Sequence, residues 1–275
     1  MPATDQSLDA DSLRADHALI VEAAKAGGAL ARSYFGNDVE RWDKRKGDPV
    51  TEADLAVDRL LFQQLTRARP GYGWLSEETI DNERRLDTDH VFIVDPIDGT
   101  RAFIKGKPHF AVSVALAYRG QTVAGVVYNP ITEELFDAYD GGGARLNGEA
   151  IAVSARAELE GSRMLGHEDL IRHKAWKRPW PDMTLGKPNS IAYRLALVAA
   201  GLWDATLSLA GKSEWDLAAG TVLVKEAGGV TTDHVGTPFR FNGANTRFQS
   251  VIAGGPALHE AILDRVKHIA LQDRH

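Results

Sequence analysis

The chain has 275 residues, of which 44% are hydrophobic and 25% charged, and its formal net charge is -6. This composition is ordinary for a globular protein of one large domain or two lobes, and the acidic balance argues against a nucleic-acid polymer as partner. Because the sequence contains no cysteine, disulfides, thiolate catalysis and cysteine-ligated zinc are excluded. No run of about 18 apolar residues predicts a membrane span. We therefore expect a soluble, cytoplasmic protein that does not bind a membrane.

Two helices are predicted near the amino terminus. Residues 1–10 form a polar tail, after which apolar side chains recur at helical spacing from Leu13 to about Phe35. The segment 37–48 is charged and predicted to be turn-like. Asp48-Pro49 followed by Val50-Thr51 predicts the start of the second helix, which Pro70-Gly71 ends.

The next part of the chain predicts an antiparallel meander, because apolar and polar residues alternate between turn signals. The meander comprises strands at residues 110–118, 122–129 and 134–139, followed by a hairpin at Asn147-Gly148. Before it, a short strand is expected at 72–75 and a buried strand at 91–94.

A lobe boundary is predicted near residues 153–160, which gives an amino-terminal α+β lobe at 11–153 and a carboxy-terminal α/β lobe at 154–275. In the second lobe, helices are expected at 168–177, 190–200, 215–227 and 256–269, and strands at 162–166, 205–209, 229–232 and 248–253.

The most informative stretch runs from Val91 to Thr100: an apolar strand that ends in Asp95, Pro96, Ile97, Asp98 and Gly99. Burying unpaired carboxylates costs several kcal/mol, so two of them at the end of a buried strand favour a bound cation. Residues after Gly99 can begin a short helix whose free amides suit a phosphate.

Further acids stand where elements begin or end: Asp54 early in the second helix, Glu77 and Glu78 after a strand, and Asp216 after Trp215. Any one of them alone is most simply a surface carboxylate or a helix cap. Oxygen ligands without histidine or cysteine suit Mg²⁺, with Mn²⁺ as a substitute. Mg²⁺ ions about 4 Å apart are a common device for phosphoryl displacement, and Thr100 with Asp54 can then aim the attacking water.

On these residues the chain resembles the inositol monophosphatase superfamily of Mg²⁺-dependent, lithium-sensitive phosphatases, over about Leu13 to Leu263. Four segments carry the resemblance, and they occur in the family's order: Asp48-Pro49-Val50-Thr51-Glu52-Ala53-Asp54, Ser76-Glu77-Glu78, Asp95-Pro96-Ile97-Asp98-Gly99-Thr100, and Glu214-Trp215-Asp216-Leu217-Ala218-Ala219-Gly220 with Glu226-Ala227-Gly228-Gly229.

The resemblance implies a layered αβαβα sandwich, a homodimer and two or three Mg²⁺ ions. It implies that Glu77, Asp95 and the Ile97 carbonyl hold the first ion, and Asp95, Asp98 and Asp216 the second. A third, looser ion lies against Glu77. Asp54 and Thr100 correspond to the pair that orients the nucleophilic water, Glu78 is the adjacent acid, and the Gly99 and Thr100 amides correspond to the phosphate cradle.

The substrate is a small phosphorylated metabolite, and the superfamily offers several. Its inositol-specific branch usually has a glutamate seven positions before the last aspartate, where this chain has Leu209. The Glu214-Trp215-Asp216 segment, together with Arg101 and its neighbours, is similar to the 3'(2'),5'-bisphosphate nucleotidase branch. Cations available for a second phosphate are Arg101, Lys105, Lys107, Arg194 and Lys212.

A bisphosphate nucleotide is therefore the first expectation, with inositol phosphate second and histidinol phosphate or fructose 1,6-bisphosphate behind them. Taken singly, each of the cations is most simply an ordinary surface charge or a partner of a nearby acid, and Trp176 and Trp180 can stack on an adenine or pack in the core or at an interface. A non-catalytic metal-dependent binding protein is the alternative of another class. The presence of Asp54, Thr100 and all the acids argues against it.

Overall fold

The computed structural model describes residues 9–45, 47–174 and 176–271. The predicted tail therefore lies outside the described residues except for Asp9, which caps the first helix, and Ala10, which begins it. The α-helices are α1 (Ala10–Tyr34), α2 (Glu52–Ala68), α3 (Thr100–Ile104), α4 (Glu168–Ile171), α5 (Ile191–Ala199), α6 (Glu214–Glu226) and α7 (Pro256–Val266). A 3-10 helix spans Arg84–Asp87.

The strands follow the same order along the chain. They are β1 (Arg41–Arg45), β2 (Asp48–Thr51), β3 (Gly73–Ser76), β4 (His90–Asp98), β5 (Ala111–Tyr118), β6 (Gln121–Asn129), β7 (Glu134–Tyr139), β8 (Gly143–Leu146), β9 (Glu149–Ile151), β10 (Arg163–Leu165), β11 (Thr184–Gly186), β12 (Ala205–Ser208), β13 (Lys212–Ser213), β14 (Val230–Thr232), β15 (Arg247–Phe248) and β16 (Val251–Gly254).

Two sheets and three helical layers alternate. The large sheet has the order β3-β4-β5-β6-β7-β8-β9, and all its pairs are antiparallel except β3 with β4. Helices α1 and α2 cover one face of it, and α5 and α6 cover the other. The smaller sheet, β11-β10-β12-β16-β14, packs on the far side of α5 and α6, and α7 covers its outer face. The chain is therefore a layered αβαβα sandwich, as the sequence predicted.

The middle helical layer packs very closely on the large sheet. Gly125 of β6 lies so near α6 that a Cβ there would stand 2.8 Å from the Ala219 Cα and 2.6 Å from the Val222 side chain. One hydrophobic cluster runs from Ile93 in β4 through α5 and α6 to Val251 in β16. Because α5 and α6 touch both sheets, a core that the two sheets share supports the amino-terminal ends of these helices, where the candidate site lies. The division of the chain into lobes at 153 stays a prediction.

The start of the second helix was predicted wrongly. Residues 48–51 form strand β2, and the helix begins at Glu52 with Thr51 as its N-cap in extended conformation (φ -122°, ψ 165°). The predicted turn-like segment before it instead contains β1, which pairs with β2 as a hairpin. The proline and the β-branched Val50 favour this extended backbone.

The helix predicted at 168–177 is also shorter than expected, since α4 ends at Ile171; residue 175 lies outside the described part. Beyond α4 the Trp176 Nε1 donates to the Leu170 carbonyl at 2.6 Å, so the chain folds back instead of continuing the helix. Strand β11, which pairs in parallel with β10, was not predicted.

Candidate active site

Four of the predicted acids line a cleft of about 900 Å³: Glu77, Asp95, Asp98 and Asp216. Its floor is formed by the end of β4 and the amino-terminal end of α6, and the β1–β2 hairpin and the start of α5 line its sides. All these segments are ends of elements, where side chains leave the packed core while the backbone stays fixed.

The pairing register between β4 and β5 changes where β4 reaches the cleft. Asp95 pairs with Ser113 of β5 and Asp98 with Ala111, so the pairing shifts between the two aspartates. At this bulge the two aspartate side chains no longer follow the regular alternation of side chains between the two faces of the sheet. Gly99 follows at φ 102°, and a Cβ there would lie 2.9 Å from the His109 carbonyl oxygen. Only glycine fits this turn into α3 without strain.

Asp98 and Asp216 are each fixed by a helix start. The Asp98 Oδ2 accepts hydrogen bonds from the Ser190 Oγ (2.7 Å) and the Ala192 amide (2.6 Å) at the beginning of α5. The Asp216 Oδ2 accepts from the Ser213 amide at 2.8 Å, as the third residue in the capping box of α6. These bonds occupy one oxygen of each carboxylate, so the other remains for a ligand.

Asp95, Asp98 and Asp216 form a group whose ligand oxygens lie within 4.8 Å of one another. Burial raises the pKa of Asp95 well above its usual range, and the charges of Glu77 and Asp98 raise it further. Burial and the charge of Asp216 raise the pKa of Asp98, and burial and Glu77 raise that of Asp216. Buried carboxylates that repel one another in this way fit a hard divalent cation, which relieves both costs.

Glu77 and Glu78 lie beside this group, and both form an ion pair with the same lysine. The Lys44 Nζ of the β1–β2 hairpin is 2.7 Å from the Glu77 Oε1 and 2.9 Å from the Glu78 Oε1. Burial, followed by the charge of Glu77, raises the pKa of Glu78 to about 7, although Lys44 opposes the shift. Sequence analysis missed Lys44, because nothing in the spacing of the hairpin residues points to Glu77.

Asp54 and Thr100 also meet, as predicted from the sequence. The Asp54 Oδ2 accepts from the Thr51 amide and hydroxyl in the capping box of α2, which leaves Oδ1 facing Thr100. The Thr100 Oγ1 lies 3.0 Å from that Oδ1 and 3.1 Å from the Ile97 carbonyl oxygen. Since a hydroxyl has one proton and two lone pairs, Thr100 can donate to one of these acceptors and still accept from a water.

The opposite side of the cleft is basic. We call the four residues Lys187, Arg194, Lys212 and Arg247 the basic wall; all four line the cleft, as does His167. No carboxylate among the described residues forms an ion pair with any of the four. The Arg194 Nε donates to the Pro188 carbonyl at 2.7 Å, and the Lys212 Nζ donates to two backbone carbonyls. Burial lowers the pKa of both side chains.

Arg194 and Lys212 were predicted for this region, whereas Lys187, Arg247 and His167 were not. Arg101 and Lys105 line the cleft mouth, and Arg101 donates to the Gly47 carbonyl of the hairpin. Lys107 is exposed and does not contribute to the lining.

Three aromatic and apolar residues that the sequence raised as specificity elements lie elsewhere. Leu209 is half-buried against a cluster that β12, β16 and α7 form with Leu207, Ile252 and Ile262, which we call the third hydrophobic cluster. Trp176 and Trp180 form an edge-to-face pair in a separate pocket. Of the two alternatives that the sequence left open for these tryptophans, stacking on an adenine or packing in the core, this position favours packing.

Comparison with known proteins identifies the class of this site. The family model of the inositol monophosphatase family matches residues 13–270. An inositol-1-monophosphatase of Mesorhizobium japonicum is 36% identical over 262 residues, which cover 90% of this chain and 94% of that protein. The Nus factor SuhB of Escherichia coli K12 is 34% identical, over 89% of this chain and 92% of that protein.

Solved structures agree with the sequence relatives. The extragenic suppressor protein suhB from Bartonella henselae superposes with a TM-score of 0.79 at 34% identity, covering 93% of this chain and all of that one (100%). A Thermotoga maritima IMPase superposes with a TM-score of 0.78 at 30% identity, covering 92% and 96% of the two chains.

The chain is thus a metal-dependent phosphoric monoester hydrolase that acts on small phosphorylated substrates. It belongs to the inositol monophosphatase family, which confirms the resemblance drawn from its motifs.

Within the described ranges 9–45, 47–174 and 176–271, none of the helices combines the length and apolar character that a bilayer crossing requires.

Proposed function

We propose that Asp95, Asp98, Asp216, Glu77 and the Ile97 carbonyl hold two or three Mg²⁺ ions in a phosphatase of small polyol monophosphates, with inositol 1-phosphate as the leading substrate. The 4.8 Å group of three buried or half-buried aspartates carries the metal part of this proposal. The relatives at 36% and 37% identity that are named inositol-1-monophosphatase carry the substrate part.

Mg²⁺ bound there would lower the pKa of a water molecule and offset the negative charge of the phosphoryl group. The chain's own groups supply the rest. Thr100 and Asp54 orient the attacking water through the Oγ1–Oδ1 contact of 3.0 Å, and Asp54 is placed to receive its proton. Glu78, next to the proposed ligand Glu77, is the adjacent acid, and in the metal-free chain burial raises its pKa to about 7. The amides of Gly99 and Thr100 are proposed to cradle the phosphate.

A bisphosphate such as adenosine 3',5'-bisphosphate is the second candidate substrate, and the basic wall favours it. Among the described residues, no carboxylate forms an ion pair with Arg194 or Lys212, and the more distant charges of Asp98 and Asp216 offset the cost of burying these cations only in part. Arg101, at the mouth, can also reach a bound phosphate ester. A substrate with a second phosphate would satisfy these side chains, whereas a polyol monophosphate leaves most of them facing water.

Leu209 does not discriminate between the two candidates. Its side chain packs behind the smaller sheet and not in the cleft, so the absence of a glutamate at this position says nothing about which groups contact the substrate.

The experiment is phosphate release with Mg²⁺ from equal concentrations of inositol 1-phosphate, adenosine 3',5'-bisphosphate and histidinol phosphate, with Asp98→Asn as the inactive control. We expect inositol 1-phosphate to be hydrolysed with the highest kcat/KM. A clear preference for the bisphosphate would replace the first candidate with the second and assign the basic wall to its second phosphate. Release from none of the three would contradict both.

Three further properties follow from the family resemblance and stay predictions: a homodimer in solution, inhibition by lithium and a cytoplasmic location. Light scattering of the purified chain and a lithium titration of phosphate release test the first two.

A further inference from the structure

A turn at Asn242-Gly243 is held between two charged side chains that the reaction does not use. Arg85, in the 3-10 helix, is 1% exposed, and Glu214, the first residue of α6, is 0% exposed. The Arg85 guanidinium donates to the Asn242 Oδ1 (2.8 Å) and the Gly243 carbonyl (3.1 Å). The Glu214 carboxylate accepts from the amides of the same two residues, at 2.7 and 3.0 Å. We call these four residues the 242–243 clamp.

The polar groups of Arg85 and Asn242 that do not bind the turn also have hydrogen-bond partners. Asp81 accepts from the Arg85 Nε (3.0 Å) and from its second terminal nitrogen (2.6 Å), and the Asn242 Nδ2 donates back to the Arg85 carbonyl at 3.0 Å. Charged groups buried so completely are costly unless every partner is in place. The turn is therefore held at one defined position, by a cation on its carbonyl side and an anion on its amide side.

The clamp joins the two segments that carry Glu77 and Asp216 into the cleft. The 3-10 helix of Arg85 packs on β3, and β3 leads directly into Glu77 and Glu78. On the other side, Glu214 lies two residues before Asp216, and its amide donates to the Thr246 carbonyl at 2.8 Å. The neighbouring pair Ser213–Arg247 joins β13 to β15, so the turn also fixes the chain that carries Arg247.

We propose that the 242–243 clamp sets the distance between the Glu77 side and the Asp216 side of the metal site, with Arg85 and Glu214 as positioning residues. The proposal rests on the metal site of the proposed function. Ligands held by satisfied partners bind a metal more tightly, because less ordering remains to be done on binding. Loosening the clamp weakens Mg²⁺ binding, while kcat at saturating Mg²⁺ changes little.

The test compares Glu214→Gln with Asp204→Asn, both in the full chain. Asp204 is a matched control because it too is buried and accepts from a backbone amide, that of Arg163 at 2.7 Å, but it does not line the cleft. Mg²⁺ binding is measured by titration calorimetry without substrate, and the thermal midpoint is measured in parallel. We expect both variants to melt earlier, but only Glu214→Gln to bind Mg²⁺ more weakly, by about tenfold.

A milder variant, Asn242→Gly, keeps the proposal testable if Glu214→Gln does not fold. Asn242 has a φ of 59°, which glycine adopts easily, so this change removes the side-chain bonds to Arg85 and keeps the amide that Glu214 binds. Weaker Mg²⁺ binding by Asn242→Gly supports the proposal. Wild-type affinity in every folded clamp variant would show that the clamp is only structural. Failure of the wild-type chain itself to bind Mg²⁺ would contradict the proposed function instead.

Discussion

The two sides of the cleft differ in what they lack. On the acidic side, burial raises the pKa values of Asp95, Asp98 and Asp216, and neighbouring negative charges, Glu77 among them, raise them further. On the basic side, burial lowers the pKa values of Arg194 and Lys212, and no carboxylate in the described part of the chain lies within ion-pair distance of either. Each side is therefore incomplete without a ligand of opposite charge, and the two together fit a cation and a phosphate ester side by side.

The largest expected effect is on the acidic side. Asp98→Asn should lower kcat by about 100- to 1,000-fold, since it removes a metal ligand worth several kcal/mol to the transition state. The asparagine can still accept from Ser190 and Ala192, and one repulsive charge is lost, so the metal-free thermal midpoint should stay the same or rise. Steady-state phosphate release and calorimetric melting measure the two quantities. Retention of most activity would remove Asp98 from the ligand set.

A second test concerns the water-orienting pair at the edge of the acidic side. Thr100→Val keeps the shape of the side chain but loses the hydroxyl that lies 3.0 Å from the Asp54 Oδ1. We expect kcat to fall by about 100-fold with little change in Mg²⁺ affinity, because a general-acid–base contact is lost and no metal ligand is. Thr100→Ser should recover most of the rate. A valine variant with wild-type kcat would contradict the assigned role.

On the basic side the effect should be smaller and should appear in KM. Lys212→Met removes one of the unpaired cations of the wall, and losing one charge-assisted contact raises the KM of a bisphosphate by about tenfold. The KM of inositol 1-phosphate should change less. Lys225→Met is the control, because Lys225 of α6 forms its ion pair with Asp140 and does not line the cleft. Equal effects of Lys212→Met on both substrates would show that the wall does not read a second phosphate.

The smallest effect should come from Leu209, which belongs to neither side. Leu209→Glu places a carboxylate in the third hydrophobic cluster, so it should lower the free energy of unfolding by about 1–3 kcal/mol. The ratio of activities towards inositol 1-phosphate and the bisphosphate should stay constant. A shift of that ratio towards inositol phosphate would show that residue 209 reaches the substrate after all.

The acidic side was predictable from sequence and the basic side only in part. Asp95 and Asp98 follow an apolar run, and such a junction has few explanations other than a ligand. Lys187, in contrast, follows the three-residue strand β11, and Arg247 begins the two-residue strand β15. Only the tertiary fold brings such short elements to the cleft that Arg194 lines. Lys44 was missed for the same reason, since its hairpin meets Glu77 across 33 residues.

The same contrast holds for the fold. The meander β5–β7 was predicted nearly to the residue, because alternation and turn residues act locally. Strand β2 was mistaken for the start of α2, since Asp48-Pro49 is compatible with either a helix start or an extended entry to the Thr51 cap. Leu209 shows the limit most clearly: its place in the sequence suggested a substrate contact, but the half-buried side chain, one residue beyond β12, packs against the third hydrophobic cluster.

The most direct test of the central claim, that the acidic side is a metal site, is the thermal midpoint of the wild-type chain with and without Mg²⁺ at about pH 5 and about pH 8. The pKa of Glu78 rises from 4.5 to about 7 on folding, and those of the three aspartates rise as well. The folded state therefore holds protons that the unfolded state has lost, so these groups lower the metal-free stability as pH rises from about 4 to about 7. Mg²⁺ binds the deprotonated carboxylates, so it should raise the midpoint strongly at about pH 8 and weakly at about pH 5, and Asp98→Asn should lose most of the gain. A midpoint that Mg²⁺ leaves unchanged at both pH values would contradict the account.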